Sequence, residues 1–406
     1  MNEEFDVVVV GGGPSGSSAA VFASKQGLNV LLLDKEVFPR EKTCGDGISG
    51  KSIKMLRELD IENKIESVQH SLIKGIIFSS ANGNEFKIDL PQKGKKKTYG
   101  YCCKRFLFDN LMFQNAKKYA KKTVEGFTVI DVIKENDFVV GVRGVDKKGV
   151  EKEFRAKIVV GADGANSVIA QKLDLEQKED KHLMLGVRKY MRNVGDAKNK
   201  IELHFTESLI PGYFWIFPVG NNESNVGIAV VASAMKKNKL NLQKEFDKIL
   251  NENPKFKERF KSAKDVSELK GWQLPLGSKR RTNHGNGFLL VGDAGSLIDP
   301  FTGEGIGNAT TSGNLVANTL KKAVDTKDYS KEMLSNYEKD LSALLDEELK
   351  NNFRLQKLLN YKFIMNKLIK KANSDFQIGE MVTGTFTEEK PLKAYSKIGV
   401  LLKILF

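Results

Sequence analysis

Three cysteines in 406 residues, Cys44, Cys102 and Cys103, are too few for a disulfide framework, so reduced thiols and a cytoplasmic setting are expected. The four histidines, His70, His182, His204 and His284, lie far apart without zinc spacing, so no metal site is expected. His204 falls on a predicted strand, where a satisfied core or surface role is the plainer reading. No Ser, His and Asp set suggests hydrolysis, and no RNA-binding or helix-turn-helix pattern points to nucleic acid. Long apolar runs are missing too. Residues 7–24 carry no charge and have about the length of a membrane span, but half of them are Gly, Pro or Ser, grouped where a turn belongs. Glu3 and Glu4, ahead of the first apolar run, are wrong for a signal peptide.

Positive charge is in excess. Lys and Arg number 65 against 51 Asp and Glu, a net charge of +14. An anionic partner such as acidic lipid headgroups or an acidic carrier protein would fit, as would a basic surface that only confers solubility, because the lysines are spread over many segments. The length suggests two or three domains.

Phe5–Val10 reads as a buried parallel strand, followed by a glycine turn, a helix from Pro14 to Gln26 and a second strand, Asn29–Asp34. Strands at 73–79 and 84–90 are joined by a hairpin-type Asn82-Gly83 turn. A basic loop, Lys93–Lys97, leads to a helix from Arg105. Segments 127–133, 137–145 and 150–155 alternate like a small antiparallel sheet, and 157–160 reads as a further strand returning to the parallel sheet. Several strands follow between 181 and 231, then one helix over 237–252, a strand at Phe288–Val291 and a helix over Gly303–Ala323. From 328 onward the chain reads as helical and lysine-rich.

Gly11-Gly-Gly13-Pro14-Ser15-Gly16 fits G-x-G-x-x-G between a strand and a helix. In that pattern the first glycine permits the turn, the second lets a pyrophosphate approach the backbone, and the third lets helix and strand pack. Free N–H groups at the helix N-terminus favour the same anion. Asp34, with Lys35 beside it, ends the second strand 18 residues after Gly16, where an acid hydrogen-bonds a ribose hydroxyl. Two more glycine loops follow buried strands: Gly161-Ala-Asp163-Gly164, and Gly292-Asp293 leading on to Gly303-Glu-Gly305-Ile306-Gly307. Asp293 could accept from a ribityl hydroxyl, and the turn at 303 could bring backbone N–H groups against pyrophosphate or a flavin ring.

Between Pro211 and Pro218 three aromatics alternate, Tyr213, Trp215 and Phe217. Alternation puts them on one side of a strand, and the prolines limit how far that strand runs. Core packing and a cavity wall are both open readings; the glycine loops around the segment favour the wall. Lys42-Thr-Cys44-Gly45-Asp46-Gly47 is a glycine loop around a thiol. Cys44 there reads either as a tuned, accessible thiol or as a small buried side chain in a turn. Cys102 and Cys103 read as packing.

The three glycine motifs resemble those of the FAD-dependent hydroxylase-like superfamily over about residues 1–325. The resemblance implies FAD as cofactor and a cofactor contact from Arg105. It also implies an α/β (α+β multidomain) chain: a Rossmann-like FAD-binding domain over 1–72, 97–180 and 271–327, a β-sheet substrate domain over 73–96 and 181–270, and a C-terminal helical segment over 328–406. Within that superfamily, the Tyr213-x-Trp215-x-Phe217-Pro218 segment and the Cys44-Gly45-Asp46-Gly47 loop resemble the geranylgeranyl reductase family. This implies reduction of isolated double bonds in prenyl chains, with the three aromatics against the substrate and Cys44 in proton delivery or substrate placement. Family members often carry a small residue in place of Asp46, which leaves the packing of the loop and a part for Asp46 in proton delivery open. A flavin monooxygenase or halogenase is the competing enzyme reading, and a non-catalytic flavoprotein the third.

Only one strand–glycine turn–helix unit is present, so electrons would come from NAD(P)H bound in another way or from a reduced carrier protein such as ferredoxin. In the tail, Phe353, Leu355, Leu358, Leu359, Phe363, Ile364, Leu368 and Ile369 stand among lysines, and the chain ends Ile398-Gly-Val-Leu-Leu-Lys-Ile-Leu-Phe406. Such basic amphipathic helices fit either the inner face of an anionic membrane or the surface of the flavin domain.

Overall fold

The computed structural model describes residues 4–90, 100–176, 179–358 and 360–375. The Lys93–Lys97 loop, Leu359 and the apolar end at 398–406 lie outside the described residues.

The described residues form two eight-stranded sheets and one three-stranded sheet. In the first, parallel strands run in the order Phe288–Leu290, Glu151–Gly161, Phe5–Val10, Val30–Asp34 and Lys122–Glu125. Phe5–Val10, Val30–Asp34 and Phe288–Leu290, buried almost throughout, read as near-continuous apolar runs. Val7 and Val9 of the first strand belong to the core under the helices, and Val8 and Val10 to the core on the opposite face. Helices Pro14–Lys25 and Ile306–Thr326 pack closely: a Cβ at Gly313 would stand 2.4 Å from the Ser15 carbonyl oxygen.

The segments 150–155 and 157–160, read above as two strands, form one, Glu151–Gly161. Its first half pairs antiparallel with Phe138–Asp146 and its second half parallel with Phe5–Val10. No glycine or proline interrupts it; it changes partner without breaking.

The second sheet orders Leu183–Arg192, Glu223–Val231, Gly212–Gly220, Lys200–His204, Gly75–Ser79 and Glu85–Asp89, with Lys270–Pro275 beside Leu183–Arg192. Two segments far apart in sequence therefore share it, Ile76 lying opposite Ile201. A boundary at residue 271 falls inside one of its strands. Phe214, Ile216, Val226 and Ile228 point outward onto Phe246 and Phe256 of short helices. The helix expected over 237–252 is Leu242–Glu252, flanked by Ala232–Lys237 before it and Pro254–Phe260 after it. Lys239 adopts a φ of 49°, and the Asn241 side chain caps the second helix by accepting from Lys244 N at 3.0 Å. Asn253 and Pro254 start the third.

Helix Lys331–Leu358 buries Leu334, Tyr337, Leu341, Leu345 and Leu349, a stripe at three- and four-residue spacing, in the core of the first sheet. Helix Lys362–Ala372 buries Met365, Leu368 and Ile369 in the core of the second. Among the described residues of the tail, much of the apolar face is thus taken by the protein itself, while Tyr361 and Phe363 stay 65% and 57% exposed. Among the described residues, no helix is long and apolar enough to cross a membrane.

Candidate flavin and substrate site

A cavity of about 700 Å³ opens between the two sheets. Its roof comes from the carboxyl ends of the parallel strands, where open α/β sheets place ligands. Gly11, Gly13, Pro14 and Ser15 reach it from the first turn, Asp34 and Lys35 from the second strand, and Asp163 and Gly164 from the second glycine motif. Asp293, Gly303, Gly305 and Ile306 line it beside the helix start. Gly16, Gly292 and Gly307 do not reach it. A Cβ on Gly16 would lie 1.7 Å from Gly11 O, one on Gly292 2.8 Å from Ser15 Oγ, and one on Gly307 2.9 Å from Glu304 Oε1.

These contacts separate glycines that pack from glycines that leave room. Beside Gly13 the nearest atom is Arg40 Nη2 at 3.6 Å, and beside Gly164 nothing lies within 4 Å. An anion-sized hollow therefore sits at the N-terminus of the Pro14–Lys25 helix, where Gly13 caps without a side-chain hydrogen bond. Asp34 accepts from Gly12 N at 2.6 Å and Glu36 N at 2.8 Å, which holds its carboxylate at the cavity edge. No described residue donates to the Asp293 carboxylate, and burial pushes its pKa up. One buried oxygen of Asp163 also lacks a protein partner. Open glycines, a free helix start and unpaired carboxylates together fit the pyrophosphate and polyol of FAD.

Arg105 is 7% exposed on the cavity wall and not a surface residue. It grips Asp109 through Nε and Nη2 at 2.5 and 2.8 Å, and Arg40 reaches the same carboxylate at 2.6 Å. Burial alone would raise Asp109, but the two guanidinium groups hold it below the usual carboxylate range. The i, i+4 spacing of Arg105 and Asp109 was legible in the sequence; the approach of Arg40 from another loop was not.

The helix expected from Gly303 begins at Ile306. Gly303 has a φ of 71°, and Asp299 Oδ1 gathers the turn by accepting from Phe301 N and Thr302 N at 2.9 and 2.7 Å. Tyr213 Oη donates to Thr302 O at 2.5 Å, tying this turn to the second sheet.

Tyr213, Trp215 and Phe217 share one side of the strand Gly212–Gly220 and all line the cavity. The strand passes through Pro218, which lies opposite Ser224 on one side, while pairing with Lys200–His204 on the other side ends at Ile216. The rings meet edge to face or tilted, with centroids 6.0 and 6.3 Å apart. They stand over small residues: a Cβ at Gly227 would be 2.3 Å from Trp215 Cζ2.

Cys44 is half-buried on the cavity wall, and Gly45 brings the loop against Phe217 and Trp215. Asn225, which the sequence reading missed, joins the two motifs. Its Nδ2 donates to Cys44 O at 2.6 Å and Asp46 Oδ2 at 2.8 Å, and its Oδ1 accepts from Trp215 Nε1 at 2.9 Å. Asp46 is fully buried with a φ of 68°. It also accepts from Tyr190 Oη at 2.7 Å and Arg105 N at 3.3 Å. Burial pushes Asp46 up, and these donors oppose the rise. Asp46 is thus the anchor beneath the loop. The polar Glu-Ser-Asn opening of the otherwise apolar strand Glu223–Val231 was the available signal for Asn225.

Cys102 and Cys103 are buried in packing, and burial drives Cys103 up to about 12. His204 is a satisfied core histidine: it contacts Ser79 Oγ at 2.6 Å and Glu202 Oε2 at 3.1 Å.

The site defines an FAD-binding flavoprotein, and residues 4–347 match the family model described as FAD binding domain. The chain is 31% identical over 363 residues to the digeranylgeranylglycerophospholipid reductase of Methanocaldococcus jannaschii and 30% over 364 residues to that of Picrophilus torridus, covering 88% of each chain in both pairs. A geranylgeranyl bacteriochlorophyll reductase-like structure from Thermoplasma acidophilum superposes with a TM-score of 0.83 at 27% identity, covering 100% of this chain and 96% of that one. The chain belongs to the geranylgeranyl reductase family. A myxobacterial chondrochloren halogenase matches at a TM-score of 0.75 and 22% identity, over 96% of this chain and 92% of that one, and shares the fold alone.

Proposed function

We propose that the protein is an FAD-dependent reductase that saturates isolated C=C bonds in a geranylgeranyl chain carried by a lipid. One observation carries this reading. The Cys44 loop and the aromatic strand are locked together by Asn225 over the same cavity that the FAD-binding turns roof, and that cavity continues into an apolar end lined by Ile73, Ile76, Leu90, Ile201 and Leu203.

Reduced FAD, when bound, supplies the hydride. The chain supplies the surroundings. Gly13, Gly164, Arg105 and Asp293 would hold the cofactor. Tyr213, Trp215 and Phe217 form a dry wall along which the prenyl chain lies, and their π-faces favour developing positive charge on the alkene. The Cys44 thiol, facing this wall beside Arg105, holds the proton that completes saturation. Asp46, fully buried and held by Tyr190 and Asn225, keeps the loop in place rather than delivering a proton. Electrons arrive from NAD(P)H or a reduced carrier protein. Tyr361 and Phe363, exposed at the start of the last described helix with Lys367 stacked over Phe363 at 4.7 Å, suit contact with an anionic membrane that holds the substrate.

The test is anaerobic. Flavin reduced with dithionite is mixed with a geranylgeranyl lipid, and the product gains two hydrogens per double bond. Cys44→Ala should slow this turnover at least tenfold while FAD stays bound. Oxygen-dependent reoxidation through a flavin adduct with no alkene saturation would overturn the reading.

A further inference from the structure

We propose that Arg188, Lys42 and Trp272 form a phosphate subsite at one end of the cavity, which takes the phosphoryl headgroup of the prenyl substrate; the headgroup assignment rests on the prenyl-reductase reading. Arg188 lies mid-strand in Leu183–Arg192 and is 1% exposed, yet it is poorly paired. Its Nη2 reaches Lys42 O only at 3.4 Å. The nearest carboxylate in an ion pair with it, Glu41, stands 3.7 Å away and is 55% exposed. The Nε of Arg188 is buried without an acceptor among the described residues. Its guanidinium otherwise rests on the Tyr190 ring, 4.3 Å from the centroid. Asp46 is committed elsewhere, to Tyr190, Asn225 and Arg105 N.

Two further donors converge on this corner. Across the sheet Lys270 lies opposite Arg188 and Trp272 opposite Gly186, so Trp272 is the diagonal neighbour of Arg188. Its indole N–H is buried without a partner. Lys42 Nζ sits 3.7 Å from the centre of the Trp272 ring and, among the described residues, makes one hydrogen-bond contact, 3.5 Å to Thr43 O. All three residues line the cavity. A buried guanidinium whose acceptors are few and distant is costly, as is a buried indole N–H without a partner. An oxyanion with several lone pairs satisfies both together, and Lys42 adds charge. If Arg188 served only to support the loop, a shorter bond to the Lys42 carbonyl would be expected.

The sheet register supplies the second half of the ligand. Arg188 lies opposite Gly227, Gly227 opposite Trp215, Trp215 opposite Leu203 and Leu203 opposite Phe78. One row thus runs from a cation, past a glycine over which the Trp215 ring lies, to apolar side chains. Four strand spacings of about 4.8 Å give roughly 19 Å from head to tail. The row has the polarity of a long-chain phosphate ester.

Holoenzyme and its R188Q, R188K and K42M variants are compared on geranylgeranyl phosphate and on geranylgeraniol, with flavin reduced by dithionite. R188Q should raise KM for the phosphate ester about 10- to 100-fold, R188K less, and the alcohol's KM far less. Equal effects on both substrates, or none on either, would overturn the subsite. Inorganic pyrophosphate binding is read separately from tryptophan fluorescence, since Trp215 and Trp272 are the only tryptophans. Pyrophosphate quenching in wild type that is lost in R188Q would uphold the subsite even if neither prenyl compound is reduced, a result that would sink the reductase reading alone. If R188Q instead slows flavin reduction by NADPH and leaves dithionite-driven turnover intact, the phosphate belongs to the nicotinamide donor and the headgroup assignment falls. FAD absorbance and circular dichroism of each variant establish that it is folded.

Discussion

Replacing Asn225 with Ala should loosen the Cys44 loop and the aromatic strand together. The substitution removes three hydrogen bonds from a buried site. Trp215 Nε1 lines the cavity and can turn to solvent or ligand, so its loss is near the net value of one bond, about 1 kcal/mol. The Cys44 carbonyl belongs to a half-buried loop and loses a similar amount, about 1 kcal/mol. Asp46 is different: a fully buried acid gives up one of its two side-chain donors, which costs roughly 1.5–3 kcal/mol because the bond is charge-assisted. The sum is roughly 3–5 kcal/mol. Urea unfolding of the FAD-loaded protein should show the midpoint falling with little change in slope. Tryptophan emission should shift as Trp215 loses its partner, and prenyl reduction should drop at least tenfold because the thiol is no longer held. A stability loss under about 1 kcal/mol with unchanged emission would refute the reasoning, since a residue joining both motifs cannot be removed so cheaply.

Gly13→Ala should leave the apoprotein as stable as wild type and weaken FAD retention at least tenfold, because its Cβ projects into the open cradle; Gly16→Ala, whose Cβ would lie 1.7 Å from Gly11 O, should yield no folded protein by circular dichroism. Glu202 is 3% exposed, and although burial would raise its pKa, hydrogen bonds from Arg259 at 2.7 and 2.8 Å and from His204 pull it to about 2. With the folded value below the unfolded one near 4.5, this group's stabilisation of about 3 kcal/mol is complete above pH 4.5 and is lost as pH falls toward 2; urea midpoints between pH 6 and 3 should decline less steeply in Glu202→Gln.

Much of the cofactor site was legible because its signals are local. A strand, a glycine turn and a helix are adjacent in sequence, so Gly11–Gly16 predicts its own geometry. Alternation likewise placed Tyr213, Trp215 and Phe217 on one side without knowledge of what they face. What stayed hidden depends on distant partners. Asp46, Tyr190 and Asn225 come from three separate segments, and only the pairing of Tyr190 with Asn225 across neighbouring strands brings two of them beneath the third. The long strand Glu151–Gly161 reads as two in the sequence because its own pattern changes where its neighbour changes, from an exposed half beside an antiparallel partner to a buried half in the parallel sheet. The tail's apolar residues showed a stripe but not the surface that covers it.

The aromatic strand cannot act independently of the cofactor turn. Its outward residues Phe214 and Ile216 are fixed in the core beneath the sheet, so its inward residues have one orientation. At one end Tyr213 Oη donates to Thr302 O in the turn before Gly303. At the middle Trp215 is fixed through Asn225 to the Cys44 loop, and that loop meets Arg105 through the Asp46 carboxylate. A wall tied at both points to the elements that would hold FAD must shift whenever they shift. Under the proposed function, one network would therefore set both substrate position and cofactor position, a coupling that hydride transfer over a short distance requires.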